Sequence, residues 1–268
     1  MRINKIDNQT FTSHQITSKE MSALKTAVKN KKVILYDVDT THGFMDQAIL
    51  KRENGITDGF PVPGADKIIP ALLKIKEMFL NKLPKLETVD AHSFTDPEIK
   101  FFKNVSDIHS EKGTLGAEKI EETVFGTPKF IIEVEPEKAD VPSVQAIQSA
   151  LSNNEIMRVE KNEIDVLKYG NGVTGNVEEN KKGIQFFENL KKAGAEIALV
   201  YGVAEEYCVK AAVAACKRFG ITPIVVEDAI KDAGTKVLKD DKDLVYNDVA
   251  TISTDILRDY VLTENKHI

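Results

Sequence analysis

The chain of 268 residues contains no tryptophan and only two cysteines, Cys208 and Cys216. Without an indole, any ring-binding surface must be built from phenylalanine, tyrosine or histidine. Two cysteines within one helical unit give no disulfide framework and suit a reducing compartment. No apolar run approaches the roughly 20 residues of a membrane span, and the opening MRINKIDNQTFTSHQ has no apolar signal core. Cytoplasmic residence without membrane attachment is the expectation. Basic residues are not in excess: 36 stand against 42 acidic ones, a net charge of −6, which argues against a general nucleic-acid binder. Internal repeats and low-complexity tracts are also missing. What remains is 42% hydrophobic and 29% charged, an ordinary globular composition, long enough for one large α/β domain or two small ones.

Hydrophobic periodicity favours the single domain. Residues 1–31 are polar and read as an N-terminal extension, with a short helix after the capping signal Thr17-Ser18-Lys19-Glu20. Apolar runs then alternate with helical patterns. Strands are predicted over Lys32–Asp37, Leu86–Val89, Phe130–Val134, Ile156–Val159, Ile197–Tyr201 and Ile221–Val226. Helices are predicted over Ala65–Leu80, Gly183–Ala193 and Val209–Arg218. Such alternation implies a mostly parallel central sheet between two helical layers, a three-layer α/β/α domain over residues 32–268. The polar stretch Ala91–Thr114 has no clear period.

The residue of greatest chemical interest is Cys208. The run Ile197–Tyr201 ends at Gly202, and Glu206-Tyr207-Cys208 leads into the helix that starts near Val209. A thiol at a strand-to-helix turn meets unsatisfied backbone N–H groups and the positive end of a helix dipole. Its pKa can be depressed there, and the N–H groups can hold a developing oxyanion. Cys216, well inside the helix, reads as a small buried hydrophobe. In open α/β sheets ligands bind beyond the carboxyl ends of the strands. Four predicted strand ends carry reactive groups: Asp37, Asp90 with His92, Lys161, and the turn holding Cys208. A thiol nucleophile needs a base and a cation to sustain the thiolate, and Asp37 and Lys161 can supply them.

At these residues the chain resembles the isochorismatase-like cysteine hydrolases, and within them the nicotinamidase (pyrazinamidase) branch. Asp37-Val38-Asp39 with Gly43-Phe44 is similar to the opening acidic motif. Pro61-Val62-Pro63-Gly64-Ala65-Asp66 with Ile68-Ile69-Pro70 is similar to the V-P-G-x-D-x-x-I-P segment. Asp90-Ala91-His92 resembles a D-x-H half-site, and His109 with Gly113-Thr114-Leu115-Gly116-Ala117-Glu118 the segment that follows it. Val159-Glu160-Lys161 resembles the strand bearing a catalytic lysine. Gly202-Val203-Ala204-Glu205-Glu206-Tyr207-Cys208-Val209 resembles the nucleophile segment. The matches run in family order over residues 32–230.

The resemblance implies a metal-dependent amidohydrolase that converts nicotinamide to nicotinate and ammonia through a thioester on Cys208. Asp37 would be the general base, with Lys161 between it and the thiol. The backbone N–H groups of Ala204 and Cys208 would form the oxyanion hole, with a cis Val203–Ala204 peptide. Phe44 and Tyr207, and also Phe94, are the aromatic candidates for the pocket. Asp90, His92 and His109 would bind one divalent metal, Zn²⁺ before Fe²⁺ or Mn²⁺. The implied partner is a small-molecule amide, and a homo-oligomer is compatible with the sequence.

Some features depart from the family pattern. Asp39 stands where glutamine is usual two residues after Asp37, placing two carboxylates close together. Ser110 follows the metal histidine, and Glu205-Glu206 precedes the nucleophile in place of Thr-Asp. His42, near the first strand end, is a candidate pocket residue or a solvated one. Extra length lies at the N-terminus and near 120–152, where an insertion is expected to form a lid or an oligomer contact. These departures keep open a sibling acting on another small amide or carbamoyl compound, or a catalytically weak metabolite-binding homologue.

Overall fold

The computed structural model describes residues 13–48, 55–102, 107–133, 140–171, 176–234 and 245–264. Val134, His267 and the first twelve residues, part of the expected extension, lie outside this set. Apolar runs become strands where both faces are covered. Val33–Val38 (β2), Lys85–Asp90 (β3) and Ile197–Val203 (β8) are each buried along their whole length, as expected of central strands in a parallel sheet. With His14–Gln15 (β1), Phe130–Glu133 (β4), Ile156–Lys161 (β5), Thr222–Lys231 (β9) and Ala250–Ile252 (β10), they form an eight-stranded sheet. Its order is β1-β10-β9-β8-β2-β3-β5-β4, and every pairing in it is parallel. A separate antiparallel pair, Lys168–Asn171 (β6) with Asn176–Glu179 (β7), follows β5.

Helices cover both faces, which makes the domain α/β/α. Ser18–Lys29 (α1), Ile69–Phe79 (α3) and Thr254–Glu264 (α8) lie on the face that buries Val33 and Leu35. Val144–Ser152 (α5), Lys181–Lys192 (α6) and Lys210–Arg218 (α7) lie on the face that buries Ile34, Tyr36 and Val38. Two short helices, His42–Met45 (α2) and Pro97–Phe102 (α4), sit in the loops after β2 and β3. Among the described residues no helix is long and apolar enough to cross a membrane.

The capping signal works as its residues dictate. Thr17 accepts from the Glu20 amide, and Glu20 accepts from the Thr17 amide at 2.8 Å, a reciprocal box that starts α1. Met21, Leu24 and Ala27 of α1 enter the core, and β1 adds an edge strand beside β10. The described part of 120–152 contributes β4 and α5, which packs on α6. The predicted helix over Ala65–Leu80 begins as a 3₁₀ turn, Ala65–Ile68, before α3. Sequence reading stopped at the β9 strand and missed β10 and α8.

The order in which strands are laid down reverses between β2 and β8: β2 leads outward to β3, and β8 leads the other way to β9. A crevice beyond the carboxyl ends is expected at such a point. Gly202 permits the approach there. Its φ is 127°, and a Cβ would stand 2.0 Å from the Val38 carbonyl oxygen.

Candidate active site

Strand parity decides which acid meets which base. Side chains alternate between the two faces of a strand. Asp37 is in register with Glu87, and Glu87 with Arg158, whereas Asp90 is in register with Lys161. Glu87 and Asp90 are three residues apart on β3, so Asp37 and Lys161 face opposite sides of the sheet. The structure therefore does not bring Asp37 to Lys161 and Cys208. Asp37 pairs instead with Lys85 Nζ at 2.7 Å and Lys119 Nζ at 2.8 Å.

The acid beside Lys161 is Asp39. Its amide still donates to the Thr88 carbonyl at 3.2 Å, but its φ of 52° ends the strand. Aspartate tolerates this left-handed conformation better than most residues. The turn closes with the Thr41 amide donating to the Asp39 carbonyl at 2.8 Å, and it sends the carboxylate to the other face. Asp39 Oδ2 lies 2.8 Å from Lys161 Nζ, and that ammonium lies 3.6 Å from Cys208 Sγ. Lys161 also pairs with Asp90.

All three groups are buried, and burial shapes their protonation. Asp39 is raised above the usual carboxylate range by burial, against the pull of the Lys161 charge and with the push of Asp90. Burial pushes the Cys208 thiol well up, and Lys161 opposes that push. Lys161 is held well above its usual value although burial works against its charge, because Asp39, Asp90 and Cys208 surround it. Lys161 thus stays charged between a thiol that burial holds toward its protonated form and a carboxylate made more basic.

Cys208 lies where the sequence puts it, at the strand-to-helix turn. β8 ends at Val203, the Val203–Ala204 peptide is cis, and Glu205–Val209 form a π-helical turn leading into α7. Such turns recur at functional sites. The Cys208 amide lies in this turn, and the Ala204 amide immediately before it.

Next to the thiol stands a second buried cluster. Asp90, His92, Glu98 and His109 each present a donor atom within 4.8 Å of the others. Three elements supply them. Asp90 ends β3, Glu98 lies on α4, and His109 is carried by a loop that Ile108 ties to Asp58 and Glu111 ties to His92. Gly116 packs so closely on Asp58 that a Cβ would stand 2.7 Å from its carbonyl oxygen, which fixes that loop. His92 Nε2 faces Asp90 Oδ2 at 3.7 Å, His109 Nε2 faces Glu98 Oε1 at 3.4 Å, and the two imidazole centroids are 4.6 Å apart.

These residues fit a divalent metal. His92 Nδ1 is held by the Asp96 carboxylate at 3.3 Å, while its buried Nε2 has no hydrogen-bond partner among the described residues. A histidine anchored at one nitrogen and open at the other is the usual form of a metal ligand. The charge balance agrees. Asp39, Asp90 and Glu98 are all buried around the single ammonium of Lys161. His92 is pushed up to about 10: burial opposes its charge, but the neighbouring carboxylates of Asp90, Asp96 and Glu98 outweigh it. Two carboxylates and two imidazoles suit Zn²⁺, Fe²⁺ or Mn²⁺.

The two clusters open on one narrow cleft. Phe44, Phe60, Val62, Ile164, Ala204 and Tyr207 form its apolar walls, and Asp90, Glu98, His109 and Cys208 supply its polar groups. The Phe44 and Phe60 rings lie 5.8 and 6.1 Å from that of His109. Of the residues expected in this pocket, Phe44 and Tyr207 are there. Phe94 is 47% exposed and does not line it. His42 binds Asp46 at 3.0 Å instead. No described residue of 120–152 lines the cleft. Glu98, Asp96, Phe60 and Ile164 went unread, because nothing in the polar stretch after His92 or in the loop before Pro61 distinguishes them by spacing.

No family model matches the chain, and no curated protein does. Solved structures do. The N-carbamoylsarcosine amidase of Thermoplasma acidophilum superposes with a TM-score of 0.52 at 22% identity, covering 84% of this chain and 97% of that one. A nicotinamidase/pyrazinamidase of Acinetobacter baumanii gives 0.56 at 17% identity, over 85% and 98%. The zinc complex of the pyrazinamidase of Pyrococcus horikoshii gives 0.50 at 18%, over 83% and 99%. The fold is that of the isochorismatase-like hydrolases. Asp39, Lys161 and Cys208 sit at the carboxyl edge of this sheet, at its topological switch point.

Proposed function

We propose that the protein is a metal-dependent cysteine amidohydrolase acting on a small, planar, uncharged carboxamide, with nicotinamide as the first substrate to test. The observation that carries this reading is the contiguous set Asp39–Lys161–Cys208, whose thiol lines the same apolar cleft as Asp90, Glu98 and His109. Asp39 takes the Cys208 proton as the sulfur attacks the amide carbon, and Lys161 favours both anionic groups throughout. The amides of Ala204 and Cys208 stabilise the oxyanion. The C–N bond then breaks, Asp39 returns the proton to the departing ammonia, and the acyl group is left as a thioester. Water attacks the thioester, with Asp39 accepting its proton, and releases the carboxylic acid and the thiol.

Asp90, His92, Glu98 and His109 would hold the metal, which would supply a Lewis acid able to orient the substrate. Phe44, Phe60 and Tyr207 would hold the ring faces. Among the described residues lining the cleft there is no arginine or lysine, which weighs against a substrate with a free carboxylate. The test is ammonia release from nicotinamide by the metal-loaded protein, beside Cys208→Ala and chelator-treated controls. Release that survives either control overturns the reading.

A further inference from the structure

On the sheet face opposite Lys161, a second set of ions is buried: Asp37, Lys85, Glu87 and Lys119, with Arg158 at its rim. Lys85 bridges Asp37 at 2.7 Å and Glu87 at 2.9 Å. Arg158 pairs with Glu87 at 2.6 Å, and Lys119 donates to Asp37 at 2.8 Å. Taking such charges out of water is costly and seldom adds net stability over an apolar core. None of these side chains lines the cleft.

The network reaches the site through Thr40, the neighbour of Asp39. The Thr40 hydroxyl donates to Asp37 Oδ1 at 2.6 Å, lies 2.9 Å from the Thr123 hydroxyl, and accepts from Lys119 Nζ at 3.2 Å. The Thr40 carbonyl accepts from the Ile120 amide at 3.1 Å. Thr41 is bridged to Lys119, and the His42 amide donates to the Glu118 carbonyl at 2.9 Å. The turn is therefore clamped from the 118–123 segment along its length. Competition between the two aspartates makes the clamp necessary. If β2 ran on through Asp39, that side chain would share the face of Asp37, Lys85 and Lys119. Asp37 occupies those cations, and Thr40 holds the chain in the turn that sends Asp39 to Lys161.

We propose that Thr40, Asp37 and Lys119 are positioning residues that fix the turn at Asp39 and hold its carboxylate against Lys161. This rests on the reading of Asp39 as the base for Cys208. The clamp acts on the thiol itself, so it can be read without a substrate. At fixed neutral pH, the rate of Cys208 alkylation by iodoacetamide is followed by peptide mass spectrometry, since cleavage after Lys210 separates it from Cys216. Thr40→Val keeps the shape and removes the hydroxyl, and Thr40→Ser restores it. The expected result is an alkylation rate shifted about tenfold from wild type in Thr40→Val, because the Asp39 charge bears on the thiol, and recovered in Thr40→Ser. With a turned-over amide, kcat falls about 10- to 100-fold while KM stays within about twofold.

Asp37→Asn should give the same shift in alkylation, and it serves as the second variant if Thr40→Val does not fold. A wild-type alkylation rate in both variants, with only a lower melting temperature, overturns the proposal. If the alkylation pattern holds but no amide is hydrolysed, the positioning stands and the substrate reading falls.

Discussion

Asp90 and Lys161 are register partners across β3 and β5, and their side chains meet in an ion pair at the end of both strands. One carboxylate is thereby shared between the lysine that faces the thiol and the cluster that fits a metal. The two halves of the site are joined through the sheet itself rather than through a mobile loop. Damage on either side should therefore be felt on the other.

Lys161 is the first place to see this. Lys161→Met removes the only ammonium that faces Asp39, Asp90 and Cys208 among the described residues, leaving buried carboxylates without that counter-charge. Removing one partner of a buried pair costs about 3–5 kcal/mol, so the melting temperature should drop sharply. Cys208 alkylation should slow in the same variant. An unchanged alkylation rate in a folded Lys161→Met protein would show that the cation does not support the thiolate.

Asp39 and Asp37 give a direct contrast. Asp39→Asn removes the base and should lower kcat by about 10²- to 10⁴-fold, with little loss of folding. Asp37→Asn should cost activity less, in the range expected for a misplaced group, and stability more. Steady-state kinetics beside thermal melts would decide. The reverse ranking of the two activities would return the catalytic role to Asp37.

This pair also marks how far the chain could be read without coordinates. The alternation of apolar runs and helical patterns carried the three-layer fold, and the strand ends located Lys161, Cys208, Asp90 and His92, because those positions follow from local patterning. Asp-x-Asp at the end of β2 offered two acids of the same type, two residues apart. Only the left-handed turn at Asp39 separates them, and that turn depends on Thr40 meeting residues about eighty positions away, which no local pattern encodes. Glu98 and Phe60 were invisible for a related reason. They reach the cleft through loops whose course is set by tertiary contacts, such as Gly116 against Asp58, rather than by periodicity. β10 and α8 were missed because the short run Ala250–Ile252 carries little apolar signal of its own.

Metal removal should be visible in folding as well as turnover. A ligand that binds only the native state stabilises it by about 2.7 kcal/mol at one hundred times its dissociation constant. Chelation should therefore lower the melting temperature, and added Zn²⁺, Fe²⁺ or Mn²⁺ should restore it. Elemental analysis should find about one metal per chain in the wild type and much less in His92→Ala and Glu98→Gln. Equal metal content in all three proteins would remove these side chains from the ligand set.

The ion network beneath Thr40 predicts a particular response to acid. Burial raises the Asp37 and Glu87 carboxyl pKa values, but the charges of Lys85 and Lys119, with Arg158 beside Glu87, outweigh it and hold both below the usual range. A group whose pKa is lower in the folded than in the unfolded chain binds fewer protons when folded. Its stabilisation is complete above the unfolded value, about 4 for these carboxylates, and is lost as pH falls through the folded value. Lys85 is shifted up, despite burial, by Asp37 and Glu87, so its contribution is constant across this range. The melting temperature should hold from neutral pH to about pH 5 and fall steeply below pH 4. Glu87→Gln should be less stable at neutral pH and lose less on acidification. A variant curve that falls parallel to the wild type would mean that other carboxylates govern acid unfolding.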